Sequence, residues 1–197
     1  YICSMNNNFQ KTLKQKTSFE GIGLHTGEVA KVSLNPAPEN SGIVFKRTDI
    51  KKNNIIKANY ENISSTNLCT VLKNENNSSI STVEHLVAAF YITGIDNVLV
   101  EVDNAEIPIM DGSSKDFIDS LKKVKLTTQD KKRKYLKISK KIELVDGKRK
   151  ISIEPNEESL QVDFQLNYEN QVIGNQKNVI DFQKDNLDDV ISSRTFC

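Results

Sequence analysis

One stretch of the sequence, residues 81–116, constrains the fold more than any other. An apolar run near its start predicts a helix over residues 82–93, and Gly94 suits the left-handed position that commonly follows a helix. Residues 97–103 then alternate, with their valines on one face, as in a strand with one buried face. A helix packed next to such a strand is typical of an α+β fold.

Two residues at the start of the predicted helix, Glu84 and His85, each allow two interpretations. Ser81 followed three residues later by Glu84 is the pattern of a capping box, in which the carboxylate bonds only to the Ser81 N–H. Otherwise Glu84 is available as a general base. The positive end of a helix dipole favours a neutral imidazole at His85 and permits a metal-ligand role, although a single histidine there is more often a surface side chain.

The remaining sequence predicts several shorter elements. They are strands over 29–34 and from 43, a helix over 114–123, strands over 141–145, 148–153 and 160–166, and a helix over 185–191. Asp146 and Gly147 form the strongest short hairpin signal in the chain. Residues 127–134 are polar and lack periodicity, so we expect a linker between two domains there.

The composition excludes some functions. The 197 residues carry 27 basic and 26 acidic side chains, a formal charge of +1, which gives no basis for nucleic-acid binding. No apolar run is long enough for a transmembrane helix, and the first residues lack the charged and apolar regions of an export signal. We interpret Met5 as the natural start. The three cysteines are widely spaced and odd in number, which favours a reducing compartment. We therefore expect a cytoplasmic protein.

Short motifs run in a fixed order along nearly the whole chain. They are 21–27 (GIGLHTG), 36–38 (PAP), 47–49 (RTD), 68–70 (LCT), 82–86 (TVEHL), 94–97 (GIDN), 106–113 (EIPIMDGS) and 193–196 (SRTF). Together they resemble the zinc-dependent UDP-3-O-acyl-N-acetylglucosamine deacetylases of lipid A biosynthesis, and this many motifs in order are a strong signal. The resemblance implies two similar α+β sandwich domains, each a sheet with helices. These would be a domain over 5–126, a linker over 127–134 and an incomplete second domain over 135–197.

The resemblance also implies a reaction, hydrolysis of the N-acetyl group of UDP-3-O-acyl-N-acetylglucosamine with Zn²⁺ as cofactor. In the family pattern Glu84 is the general base and His85 is a zinc ligand. Thr195 helps to stabilise the tetrahedral oxyanion, and Phe196 lines the sugar pocket.

Four further matched positions keep two interpretations each. His25 lines the active site, or it is a loop histidine held by backbone bonds. Leu68 and Cys69 touch the sugar ring, or they form a small buried apolar pair. Asp111 before Gly112 is either functional or a turn-former.

The chain departs from the family pattern in its metal ligands. The family's other two zinc ligands lie in a His-Lys-x-x-Asp-x-x-Gly-Asp segment, and its general acid is a later histidine, whereas His25 and His85 are the only histidines here. We therefore expect a C-terminally truncated fragment that binds zinc weakly and does not deacetylate. A metal-free nucleotide-sugar-binding module is the alternative. The expected partner is UDP-3-O-acyl-N-acetylglucosamine, without nucleic acid or stable membrane insertion, and the expected state is a monomer.

Overall fold

Strands dominate the architecture. The structure, a computed structural model, describes residues 8–195. In this range the strands are β1 (Phe9–Leu13), β2 (Thr17–Ile22), β3 (Val29–Pro36), β4 (Ile43–Arg47), β5 (Ile55–Lys57), β6 (Ile63–Ser65), β7 (Val71–Lys73), β8 (Ser79–Ile80), β9 (Val98–Val102), β10 (Leu126–Lys132), β11 (Ile142–Asp146), β12 (Arg149–Ile153), β13 (Gln161–Asn167) and β14 (Asn175–Asp181). The helices are α1 (Glu84–Thr93), α2 (Lys115–Val124) and α3 (Asp188–Ser192), with a 3-10 turn at Tyr60–Asn62. The predicted α+β class is confirmed.

The chain divides into two compact units. Unit 1 comprises the described residues up to Arg133 together with those from Asp188 onward, and unit 2 is Lys134–Leu187. The linker that we expected over 127–134 is for most of its length a strand, because β10 pairs antiparallel with β1. Most of the β10 side chains are exposed, which explains its polar sequence.

The end of the described chain belongs to unit 1, whereas we expected it in the second domain. Ile191 of α3 packs against the core of unit 1, and the Thr195 N–H donates a hydrogen bond to the Gly112 carbonyl. The predicted helix over 185–191 is shorter and later in the structure, where α3 spans Asp188–Ser192.

A five-stranded sheet in the order β2-β3-β9-β4-β5 is the centre of unit 1. The middle strand β9 runs antiparallel to β3 and parallel to β4, and its three valines are fully buried. A second sheet contains β6, β7 and β8. Helix α2 packs against α1 and against β2, where the rings of Phe117 and Phe19 meet edge to face at 5.1 Å. The sheets and helices thus enclose one apolar core.

Both long helices follow the predicted pattern closely. Helix α1 ends at Thr93, and Gly94 takes the expected left-handed conformation, with φ of 77°, while its N–H bonds back to the last turn. Helix α2 buries one stripe of side chains at helical spacing, namely Phe117, Ile118, Leu121 and Val124. None of the helices in the described part of the chain is both long and apolar enough to cross a bilayer.

A buried amide fixes the register of several strands in unit 1. The Asn97 Nδ2 donates to Gln10 Oε1 and to Gln129 Oε1, both at 2.8 Å, and Asn97 Oδ1 accepts from the Gly42 N–H at 2.9 Å. Asn97 is 1% exposed, so each of these bonds is protected from water. The amide therefore ties β1 and β10 to the start of β9.

Unit 2 consists of two separate hairpins, β11–β12 and β13–β14. The predicted Asp146-Gly147 turn is confirmed, because Asp146 pairs with Arg149 at the end of the first hairpin. Apolar side chains on both hairpins are largely exposed, including Leu144, Ile151 and Phe164. The expected similarity between the two domains stays a prediction.

Candidate functional site

The first turn of α1 carries Glu84 and His85, but its cap differs from the predicted one. The helix begins at Glu84 after Val83, and no side chain caps its first turn. Ser81 instead bonds to the segment around Ala105. Its N–H and its Oγ both donate to the Ala105 carbonyl, at 2.9 and 3.2 Å. The predicted capping box is wrong, because these tertiary bonds hold Ser81 away from the helix end.

Glu84 has a different backbone partner. Its Oε2 accepts a hydrogen bond from the Thr70 N–H at 3.1 Å, which brings the 68–70 loop against the start of α1. Cys69 is half-buried beside this bond. Leu68 takes a left-handed φ of 65° and is 82% exposed, so the interpretation of Leu68 and Cys69 as a buried apolar pair is wrong for Leu68.

His85 and Thr195 are each hydrogen-bonded through the backbone to residues 112–114. The Ser114 Oγ donates to the His85 carbonyl at 3.1 Å, and the Thr195 N–H donates to the Gly112 carbonyl at 3.0 Å. The His85 side chain is half-buried, whereas Thr195 is exposed. Residues 112–114 therefore connect the start of α1 to the segment that carries Thr195.

Asp111 shapes this loop. Its Oδ1 accepts hydrogen bonds from the Ser113 N–H at 3.0 Å and from the Ser113 Oγ at 2.7 Å, so the turn-forming interpretation of Asp111 is confirmed. The bond from the Ser113 hydroxyl holds the pKa of the Asp111 carboxyl below its usual range, and the nearby Arg194 guanidinium adds to this effect. The Arg194 Nε lies 3.9 Å from Asp111 Oδ2, one residue before Thr195.

His25 lies on an exposed loop that a buried carboxylate holds in place. The loop, residues 23–27, is called the His25 loop below. Glu106 Oε1 accepts from the His25 N–H at 3.0 Å, and Glu106 Oε2 accepts from the Thr26 N–H at 2.8 Å. The Thr82 Oγ1 also donates to Glu106 Oε1, at 2.8 Å. Burial raises the pKa of Glu106, but these hydrogen bonds outweigh it and hold that pKa below its usual range.

Hydrogen bonds thus connect the segments that carry the described site residues. Glu84 joins the 68–70 loop, His85 joins the loop that holds Thr195, and the His25 loop reaches α1 through Glu106 and Thr82. The imidazole of His25 is exposed and takes no part in these bonds. Phe196 lies outside the described residues.

Backbone strain accompanies the same segments. Among residues 8–195, four residues other than Asn and Gly have positive φ, and three of them flank the site: Leu68, Thr82 and Met110. The strain is greatest for Thr82, a β-branched residue at φ of 57°. Such conformations persist where the surrounding contacts over-determine them, and they cluster at functional sites.

Comparison with known proteins gives one family. The family model described as UDP-3-O-acyl N-acetylglycosamine deacetylase matches residues 10–197. The chain belongs to this family. The family that the motifs predict is therefore confirmed over nearly the whole chain.

Relatives within the UDP-3-O-acyl N-acetylglycosamine deacetylase family are similar at about the same level. The UDP-3-O-acyl-N-acetylglucosamine deacetylase of Pseudoalteromonas atlantica is 40% identical over 190 residues, which are 95% of this chain and 62% of the relative. Those of Colwellia psychrerythraea and Nautilia profundicola are 43% and 39% identical, over 83% and 95% of this chain. The chain spans 53% and 63% of the length of these two relatives.

Zinc is the metal that the resemblance to the deacetylase family implies, with His85 as a ligand. A catalytic zinc site uses three protein donors and an open position. Within residues 8–195, no three or more His, Cys, Asp or Glu side chains are grouped so that they could hold a metal ion. The described residues therefore do not fit a zinc ion by themselves.

Sequence reasoning missed Glu106 and Thr82. Both lie inside motifs shared with the deacetylase family, but their roles depend on hydrogen bonds between distant segments, from the His25 and Thr26 amides and from the Thr82 hydroxyl to Glu106, which no local pattern reveals. One signal was present: Gly23 precedes His25, and a Cβ there would lie 2.4 Å from Glu106 Oε2. A glycine that no turn requires indicates a close neighbour.

Proposed function

We propose that this chain contributes the general base and an oxyanion donor to a deacetylase that removes the N-acetyl group of UDP-3-O-acyl-N-acetylglucosamine. The family match over residues 10–197 carries the proposal, because the relatives are named for this activity. Zinc enters the proposal through the resemblance, and His85 is its one matched ligand in this chain. A cytoplasmic location and a monomeric state stay predictions.

Glu84 is the proposed general base. The Thr70 N–H orients its Oε2, and Oε1 accepts no hydrogen bond from residues 8–195. A carboxylate with one oriented and one available oxygen is suited to take a proton from an attacking water. Glu84 also begins α1, so its backbone is fixed by a regular helix rather than by a loop.

Thr195 is the proposed donor to the oxyanion of the tetrahedral intermediate. Its backbone N–H is bonded to Gly112, and Ile191 packs against the core four residues earlier, so the chain on which the hydroxyl stands is held at two points. Loss of one donor of this kind typically raises the barrier by about 3 kcal/mol.

The substrate contacts are proposed on the two loops beside α1. His25 stands exposed on the His25 loop, and Leu68 and Cys69 stand next to the bond between Thr70 and Glu84. Phe196 follows Thr195 and is proposed to line the sugar pocket. An exposed leucine on a loop held in a left-handed conformation supports a contact with a ligand rather than with the core.

The experiment compares Glu84→Gln and Thr195→Val in a form extended with the family segment that carries the remaining ligands. Gln keeps an acceptor for the Thr70 N–H but cannot take a proton, so kcat should fall by about a hundredfold or more with KM little changed. Val keeps the shape and the backbone bond of Thr195, and kcat should again fall by about a hundredfold. Acetate release and the urea midpoint are measured for each variant.

Matched controls are Glu101→Gln and Thr93→Val. Glu101 pairs with Lys46 on the sheet, and the Thr93 hydroxyl bonds to the end of α1, so neither should change kcat. A rate near wild type in Glu84→Gln, with reduced stability, would mean that Glu84 only holds the 68–70 loop. Tight binding of the UDP-sugar by the extended wild type without acetate release would instead favour the metal-free binding module.

For the 197-residue chain alone, we propose weak zinc binding and no measurable turnover. The reason is its single matched ligand, since loss of even an outer partner typically weakens a zinc site by about ten- to a hundredfold.

A further inference from the structure

Glu106 is a buried carboxylate without a cation. It is 1% exposed, and the structure gives it no ion pair within residues 8–195. An ionised carboxylate in such a place is costly unless hydrogen bonds compensate for the lost water. An apolar side chain could fill the same volume but could not accept hydrogen bonds. The carboxylate therefore fixes the positions of its donors, which packing alone would not do.

The bonds to Glu106 come from two separate parts of the site. On one side are two successive amides of the His25 loop, the His25 N–H and the Thr26 N–H. On the other side is the hydroxyl of Thr82, two residues before Glu84. One carboxylate therefore spans the loop that presents His25 and the segment that enters α1.

The chain around Glu106 is fixed independently of its side chain. Ser81 and Glu106 form a bridge in which the Ser81 N–H donates to Ala105 and the Ile107 N–H donates to Ser81. The backbone of Glu106 is thus held by the segment before α1, whereas the His25 loop reaches that segment through the carboxylate. The loop itself closes through a bond of 3.0 Å from the Gly27 N–H to the Gly23 carbonyl.

Two local features show that this arrangement is tight. Thr82 has a left-handed φ of 57°, unfavourable for a β-branched residue, and its hydroxyl bond to Glu106 holds it there. Gly23 leaves the space in which Glu106 lies, because an added Cβ would be 2.4 Å from Oε2. The Glu106 carboxylate therefore explains both the unfavourable φ of Thr82 and the presence of glycine at position 23.

We propose that Glu106 is a positioning residue that holds the His25 loop in register with the first turn of α1, and so sets His25 and Glu84 at a fixed separation. The proposal rests on the proposed function, from which His25 and Glu84 take their roles. It predicts that the two sides of the carboxylate control different kinetic constants. Loss of the bonds from the His25 loop weakens substrate binding and raises KM. Loss of the bond from Thr82 displaces Glu84, the proposed base, and lowers kcat.

The first arm of the test needs no activity. Amide exchange is measured by NMR in the 197-residue chain for wild type, Glu106→Gln, Gly23→Ala and a control, Asp103→Asn. In Gln one oxygen becomes an NH₂ donor that faces a donor, whereas a Cβ at position 23 would lie 2.4 Å from Oε2 and would push away only the oxygen that accepts from the Thr26 N–H. We expect the His25 and Thr26 amides in Glu106→Gln, and the Thr26 amide in Gly23→Ala, to exchange roughly tenfold faster or more, as for one lost hydrogen bond.

The amides of β9 and the control decide between local and general effects. Asp103 accepts from the Lys31 N–H with one oxygen at 2.7 Å, and the amide oxygen of Asn can keep that bond, so Asp103→Asn should leave the His25 loop protected. Unchanged protection of His25 and Thr26 in Glu106→Gln would overturn the proposal. Equal acceleration in the loop and in β9 would also overturn it, because Glu106 would then serve only general stability.

The second arm uses kinetics of the extended form. We expect Gly23→Ala to raise KM by roughly tenfold with kcat nearly unchanged, and Thr82→Val to lower kcat by roughly tenfold with KM nearly unchanged. Glu106→Gln should show both changes. Parallel changes of kcat and KM in all three variants would overturn the separate control of the two constants. An inactive wild type would contradict the proposed function, while the exchange measurements would still decide the role of Glu106.

Discussion

Every second side chain of β9 in unit 1 is buried, whereas β11 and β12 of unit 2 have none buried. The strands of the two units are similarly apolar in sequence, since Leu144, Ile151 and Ile153 of β11 and β12 are as apolar as the valines of β9. The difference lies in the partners: β9 has a strand on each side and helices nearby, while each hairpin of unit 2 is a two-stranded sheet. Isolated hairpins of two strands are at best marginally stable in water.

Alternation in a sequence therefore predicts a strand and its apolar face, but not whether that face is covered. Burial of one large apolar side chain contributes about 1.5 to 3 kcal/mol, and this contribution is concentrated in unit 1. In unit 2, whose residues are all described, Leu187 is the one buried apolar residue, and it is 7% exposed. We expect unit 1 to dominate the free energy of unfolding of the chain.

The largest expected difference between the units is for a matched pair of phenylalanines. Phe90 on α1 is 0% exposed and Phe164 on β13 is 50% exposed. Phe90→Ala leaves a cavity and should cost about 3 to 5 kcal/mol of unfolding free energy. Phe164→Ala should cost less than about 1 kcal/mol. Urea unfolding of both variants measures this, and equal losses would show that the β13–β14 hairpin shares a core.

A smaller difference is expected for two asparagines. Asn97→Ala removes a buried amide that bonds Gln10, Gln129 and Gly42, and should cost about 2 kcal/mol or more, because the acceptors on Gln10 and Gln129 lose a donor. Asn178→Ala on the exposed face of β14 should change the unfolding free energy by less than about 0.5 kcal/mol. If both changes prove neutral, the register of β1, β10 and β9 is set by apolar packing alone.

The smallest expected difference concerns pH and salt. The pKa of Glu106 is lowered by hydrogen bonds in a buried site, and the pKa of Glu143 is lowered by the Lys150 ammonium at the surface. Each carboxylate therefore stabilises the fold above its unfolded pKa of about 4.3, and this stability is lost as pH falls through the lower folded pKa.

Gln variants separate these two contributions. The stability advantage of wild type over Glu106→Gln should shrink from about pH 7 to about pH 3 and should persist in about 1 M salt. The corresponding change for Glu143→Gln should be smaller and should vanish in the same salt, since exposed pairs are screened. A salt-sensitive change for Glu106 would mean that water reaches its carboxylate.

The sequence was sufficient where local patterns decide the structure. The end of α1 at Gly94, the stripe on α2 and the turn at Gly147 all depend on neighbours within a few residues, and the structure has them as predicted. Family membership was also predictable, because its motifs are short and ordered.

The misses have a common physical cause, which is pairing between distant segments. The Ser81 cap is absent because Ser81 pairs with the 105–107 segment, and β10 forms in a polar stretch because β1 is its partner. Glu106 was overlooked for the same reason. A carboxylate that accepts from backbone amides does not require particular side chains at the residues whose amides it bonds, so the glycine at position 23 was the one sequence signal for it.

The chain leaves unit 1 after Arg133 and returns to it at Asp188, so Lys134–Leu187 is an inserted segment, called the excursion here. The two ends of the excursion must come together before Ile191 can pack against the core of unit 1. Closing such an excursion costs chain entropy, and this cost rises only with the logarithm of its length, about 0.6 kcal/mol for each doubling. The segment bearing Thr195 therefore tolerates large insertions in the excursion at little thermodynamic expense. We expect its assembly to be slow, since contacts between residues far apart in sequence slow folding.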